Sequence, residues 1–213
     1  MTLSRREFMG KIATIIGASS TITQTTQPAQ AQVNQTFSML TNPAGVALAV
    51  KDDKTFITNR HSLNPNNQVT FFNPQMENLF SPRSVRFPNS SLDIAIFSLQ
   101  RPQHILTPFE VSRTPLQRGQ EYFLILNNNS YTLRIGEQNK VFDSNHNLEY
   151  QIFETSPLPQ RVIFPGLSGS PLLNERRQLV GILSGHYMQP LRHEGQNYVI
   201  PFVTNVGGLR DLL

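Results

Sequence analysis

Three short stretches hold side chains of the types that acyl-transfer chemistry uses. GLSGSP, Gly166 to Pro171, places two serines and two glycines in a tight turn that runs straight back into apolar residues. Such a turn can expose one hydroxyl beside backbone N–H groups that have no strand partner. A hydroxyl nucleophile needs a base that takes its proton near neutral pH, and a group that orients the base. It also needs donors for the oxyanion, which a glycine-containing turn supplies from its own backbone. His61 is a candidate base, since it stands just past the apolar run TFIT, Thr55 to Thr58, at a loop edge. Asp93 is a candidate orienter, since it immediately precedes IAIFSL, Ile94 to Leu99, a run apolar enough to be buried.

Each stretch also has a plainer reading. A histidine after a strand is commonly a surface residue, an aspartate before a strand a turn or cap residue, and GLSGSP a simple turn. It is the three together, each in its expected context, that point to chemistry. His104, His146, His186 and His193 lack such a context, and Asp52 and Asp53 sit in a KDDK turn that reads as solvated. No His/Asp/Glu group has metal-ligand spacing, and the chain has no cysteine. Disulfides, thiolate zinc and iron–sulfur clusters are thereby excluded, and neither a metal nor a cofactor is expected.

The elements that must position these residues read as short strands. VALAV, TFIT, VTFF and IAIFSL occupy the first half, and EYFLIL, YTLRI, EYQIF, QLVGIL and NYVIPFV the second. Turn-prone KDDK, NPNN, FPNSS and NNNS separate them, a pattern of sandwiches or barrels and not of βαβ units. The proline-bearing stretch from Arg101 to Arg118 reads as a linker between two β halves. Only VTNVGGLRDLL, Val203 to Leu213, suggests a helix, a short terminal one weakened by Gly207 and Gly208. Over 213 residues, 38% are hydrophobic and 15% charged, and the net charge of +4 is scattered, so a packed core is expected and nucleic-acid binding is not.

Part of that charge lies at the N-terminus. SRREFMGK is followed by the short apolar IATIIGA and, later, by AQA, Ala29 to Ala31. A charged region, an apolar region and a small-x-small site are the three parts of an export signal. The apolar run is too short to span a bilayer of about 30 Å. Membrane contact is therefore expected only during export, leaving a periplasmic or secreted product. Arg5-Arg6 followed by Phe8 resembles a twin-arginine signal. Residues 1–31 are expected to be removed.

The order of these features resembles trypsin-like, chymotrypsin-fold serine proteases: T-x-x-H after a strand, D-I-A before a strand, G-x-S-G-x-P, then a V-G-I strand. The resemblance covers most of the chain after residue 31. Thr58-Asn59-Arg60-His61, Pro165 to Gly169 and Ile200-Pro201 resemble cysteine-free bacterial members, and S-G-S-P resembles glutamyl endopeptidases. It implies an all-β fold of two six-stranded antiparallel barrels, residues 32–110 and 111–213, with the active site between them. It further implies Ser168 as nucleophile, His61 as base, Asp93 as orienter, and the Gly166 and Ser168 N–H groups as oxyanion hole. Ser184 would support the aspartate, and Val162, Gly185 and His186 would line the substrate pocket. Leu167 departs from the digestive branch, where an aspartate pairs with a newly cut N-terminus, so that switch is not expected here. The activity implied is endopeptidase cleavage of an extended peptide or protein. A non-catalytic exported binding module on the same fold and an esterase are the alternatives.

Overall fold

The computed structural model describes residues 39–41, 45–52, 54–63, 71–73, 78–80, 84–99, 107–126, 129–144, 147–187, 190–209 and 211. The export segment, His104, His146 and the first six residues of the expected linker lie outside them. Among the described residues, sixteen strands and two short 3-10 turns account for the regular structure. Seven strands form one sheet: β1 (Met39–Thr41), β2 (Gly45–Ala49), β3 (Thr55–Thr58), β4 (Phe71–Asn73), β5 (Asn78–Phe80), β6 (Ser84–Arg86) and β7 (Ala95–Ser98). Their order is β5-β4-β1-β2-β3-β7-β6.

The second half closes into a six-stranded barrel of β8 (Glu121–Leu126), β9 (Asn129–Asp143), β10 (Leu148–Thr155), β12 (Pro171–Leu173), β13 (Leu179–His186) and β16 (Pro201–Asn205). β11 (Leu158–Pro159), β14 (Leu191–His193) and β15 (Gln196–Val199) make a small third sheet. The NYVIPFV run is thus two strands, divided at Ile200 because Pro201 has no N–H to continue a ladder. The expected C-terminal helix does not form over Val203–Leu209. Val203 to Asn205 belong to β16, and Val206 is buried. Gly207 presses so closely on Thr114 that a Cβ would lie 3.0 Å from the Pro115 Cα.

Alternation writes the cores. Ala47, Ala49, Phe56, Ala95 and Phe97 face the interior of the first half, with the Phe56 and Phe97 rings stacked at 5.3 Å. Leu124, Leu133, Ile135, Leu172 and Leu183 fill the barrel. The opposite faces of β2, β3 and β7 are buried as well: Val46, Leu48, Ile57, Ile94 and Ile96 pack on Val111, Leu179, Ile182 and Val206. This third cluster joins the two halves. Two-faced burial explains why VALAV and IAIFSL read as continuous apolar runs and not as alternating ones. Single-residue parallel bridges, Val50 with Phe109 and Val111 with Leu179, stitch the crossing segment to both halves.

Candidate active site

His61 lies in a 3-10 turn, Arg60–Ser62, that follows β3 directly. The Leu63 N–H closes the turn on the Arg60 carbonyl, and the Arg60 guanidinium lies 4.2 Å from the centre of the Phe87 ring. Asp93 precedes β7 and is 2% exposed. Its loop is held to the barrel by the Gln151 N–H, which donates to the Ser91 carbonyl at 2.7 Å. Ser168 sits in the loop before β12. There the Val46 N–H donates to the Ser168 carbonyl at 2.6 Å, and the Gly169 N–H to Leu183 at 2.7 Å. The Val46 carbonyl accepts the Thr58 hydroxyl at 2.8 Å, so one β2 residue fixes both the serine loop and the end of the histidine strand.

These elements bring the three expected residues into line. Ser168 Oγ lies 3.2 Å from His61 Nε2, and His61 Nδ1 lies 2.6 Å from Asp93 Oδ2. Asp93 Oδ1 accepts the His61 backbone N–H at 3.0 Å. With Nδ1–H donating to the carboxylate, Nε2 keeps its lone pair for the serine hydroxyl. Burial pulls the His61 pKa down, but the hydrogen bond and charge of Asp93, with the charge of Asp143, more than reverse this, leaving it above 6.5.

Gly166 has φ +96° and Gly169 φ +91°, the left-handed region that glycine enters without strain. Among the described residues, neither the Gly166 nor the Ser168 N–H donates to another group of the chain. The turn thus leaves two backbone donors without a partner, one at Ser168 and one two residues before it. Leu167, between them, is buried in the barrel core at 5% exposure, so an apolar anchor sits where the digestive branch has its charged switch. Ser170 is a buried packing residue, its Oγ without a partner.

Ser184 is placed differently from the expected aspartate support. Its hydroxyl meets Thr204 Oγ1 at 2.7 Å and accepts from Asn59 Nδ2 at 2.9 Å, and it is Asn59 that donates to Asp93 Oδ2, at 3.0 Å. The link to the carboxylate therefore runs through an amide that sequence reasoning passed over, although it stands inside the T-N-R-H stretch. Val162 packs on the barrel cluster that contains Ile163, Leu183, Val199 and Val203. Gly185 lies under the Phe202 ring, where a Cβ would come within 2.7 Å of it. His186 donates from Nδ1 to the Tyr187 carbonyl at 3.0 Å, the tautomer a carbonyl acceptor requires. His193 stands apart on β14, against Glu194. Asp52 caps the KDDK turn by accepting the Lys54 and Thr55 N–H groups. Among the described residues no His/Asp/Glu group could hold a metal, and no helix is long and apolar enough to cross a membrane.

The trypsin-like peptidase domain matches residues 45–182, which include all three aligned residues. The chain belongs to this family, and is a serine protease hydrolase of the chymotrypsin fold. It is similar to the active form of the Rv3671c protease from M. tuberculosis, with TM-score 0.58 at 16% identity over 86% of this chain and 82% of that one. Neuropsin, a serine protease of mouse brain, superposes with TM-score 0.57 at 13% identity over 88% and 95%. The MamO protease domain from Magnetospirillum magneticum gives TM-score 0.52 at 16% identity over 75% and 83%. At these identities the solved structures share the fold, and among curated proteins no sequence relative is found.

Proposed function

We propose that the chain is an exported serine endopeptidase that works through Ser168, His61 and Asp93 by way of an acyl-enzyme. The observation that carries this reading is the line Ser168 Oγ, His61 Nε2, His61 Nδ1, Asp93 Oδ2, with steps of 3.2 and 2.6 Å at its two hydrogen bonds. His61 takes the Ser168 proton as Oγ attacks the scissile carbonyl. The Gly166 and Ser168 N–H groups receive the oxyanion, and His61 returns the proton to the leaving amine. A water repeats the sequence on the ester and frees the acid. Gly185 and His186 pair with β16 on one side, and on the other β12 begins at Pro171, opposite Ile182. The edge beyond is open to an extended substrate strand, which supports peptide as the substrate. The test is hydrolysis of fluorogenic peptides by the purified chain, expected to vanish in Ser168→Ala. Turnover by that variant would refute the reading.

The acid limb of kcat/KM should lie above pH 6.5, because His61 acts only when neutral and its pKa is raised. In Asp93→Ala burial is opposed only by the charge of Asp143, so the limb of any residual activity should move down. A kcat/KM profile with no acid limb in the histidine range would contradict the assignment of His61 as base.

Arg161-Val162-Ile163-Phe164 supplies no carboxylate, and Val162 and Ile163 lie on the apolar barrel cluster. A substrate Lys or Arg buried there would be unpaired, at a cost of several kcal/mol. A peptide-library profile should therefore show neutral apolar side chains at the cleavage position first, acidic ones second through His186, and basic ones rarely. Preferred cleavage after Lys or Arg would overturn this pocket.

Residues 1–31 we read as the export signal, 32–110 and 111–213 as the two lobes of the exported protein. Arg5→Lys with Arg6→Lys should leave precursor in the cytoplasm, since the twin-arginine pair is read by a receptor and not as charge alone. Normal export of that double variant would point to the general secretory route.

A further inference from the structure

Asn59 is fully buried, and its amide nitrogen faces three acceptors from both lobes: Asp93 Oδ2 at 3.0 Å, the Asp93 carbonyl at 3.2 Å and Ser184 Oγ at 2.9 Å. Its own Oδ1 is buried and meets no donor. An asparagine placed only to satisfy local polar groups would use both ends of its amide. This one is used as a donor alone. Turned over, it would set its oxygen against the carboxylate. Ser184 is in turn held by Thr204, itself fully buried on β16, so the amide is braced from the barrel side. Among the described residues, Asp93 Oδ2 accepts from two groups, His61 Nδ1 and Asn59 Nδ2.

We propose that Asn59 is a positioning residue for the reaction: its side-chain amide fixes the plane of the Asp93 carboxylate toward His61 and locks that plane to Ser184 on the lobe that carries Ser168. The inference rests on the reading of Ser168, His61 and Asp93 given above. Without the amide, Oδ2 is held by the imidazole alone, and the His61 backbone N–H on Oδ1 is left to resist a turn about the Cβ–Cγ bond. His61 then loses both its aim and part of the pull exerted by Asp93. Among the described residues, the other charged or titratable groups around the His61–Asp93 pair are Arg60, next to His61, Asp143 at the end of β9, and Tyr150 on β10, which faces Asp93. None of them changes in an uncharged Asn59 variant, so a change in its His61 titration reports on Asp93.

The experiment compares wild type, Asn59→Leu and Asn59→Ala for peptide turnover, and for His61 titration by NMR in a Ser168→Ala background. Asn59→Leu keeps the branching at Cγ and removes the donor; Asn59→Ala removes the donor with a smaller side chain if leucine does not fit. The inference predicts kcat lowered about 10- to 100-fold, by analogy with the loss of groups that orient metal-bound histidines and carboxylates, with KM unchanged. The His61 pKa should fall toward the ordinary 6.5 in Asn59→Leu. Ser184→Ala, which keeps the Asn59–Asp93 bond, should lose less than Asn59→Leu. Wild-type kcat with an unmoved His61 titration in the Asn59 variants would overturn this inference and leave the active-site reading standing. A wild-type chain that hydrolyses no peptide would overturn the active-site reading and this inference with it.

Discussion

Replacing Asp93 by alanine is expected to lower kcat/KM by about 10⁴-fold or more while the protein still folds. Asp93 makes two contacts to His61, Oδ2 to Nδ1 and Oδ1 to the backbone N–H. The first selects the tautomer that leaves Nε2 free to accept the Ser168 proton, and stabilises the imidazolium that follows. Neither task falls to another residue among those described, because Asp143 acts on His61 only through its charge. Peptide hydrolysis at saturating and at low substrate checks the effect, with circular dichroism to show that the fold is kept. His61→Ala should lose as much, and the double variant little more, because the residues act as one unit. Additive losses in the double variant would mean that the two side chains do not work together.

Gly169→Ala should be the most damaging of the glycine-to-alanine changes whose surroundings are described above. At φ +91° an alanine is strained, at a cost of about 1–3 kcal/mol. Its Cβ would also run into the Val46 carbonyl, with the carbonyl carbon at 2.9 Å. Both neighbours are backbone and cannot swing aside. Val46 would have to retreat, breaking its N–H bond to the Ser168 carbonyl and straining its bond from Thr58, for a further loss of about 0.5–1.5 kcal/mol each. The total, roughly 2–6 kcal/mol, should lower Tm by about 2–4 °C for each kcal/mol at this chain length. Because Val46 fixes both the serine loop and the histidine strand, activity should disappear even where the variant folds. A thermal melt and a turnover assay read the two effects separately. A Gly169→Ala protein with wild-type Tm and turnover would contradict the packing described here.

The site was legible in the sequence because its residues lie at the ends of strongly patterned elements. TFIT and EYFLIL coincide with β3 and β8, and the residues after TFIT and before IAIFSL are the ones brought to Ser168. Tight turns are also legible, since Gly166 and Gly169 both adopt the left-handed conformation that the glycines of GLSGSP suggested. What escaped were features set by contacts between distant parts of the chain. β12 is three residues long and pairs on both sides, so nothing in PLL alone distinguishes it from the tail of the turn. β9 runs from Asn129 to Asp143, far beyond YTLRI, because its polar outer half is held by pairing with β10 and not by burial. The C-terminal helix failed for a similar reason: β16 claims Val203 to Asn205 through pairing with β13, which no local propensity reveals. Asn59 was quoted as part of a motif without a role, since the acceptors of its amide lie 34 and 125 residues away.

The account turns on Ser168 being the hydroxyl that His61 activates. Incubation with a fluorophosphonate, followed by intact-mass measurement and peptide mapping, tests this directly. One phosphonyl group per chain is expected, on the peptide that contains Ser168, with none on Ser168→Ala and full labelling of Ser170→Ala. An adduct on Ser170, or no adduct at all on the folded wild-type protein, would contradict it.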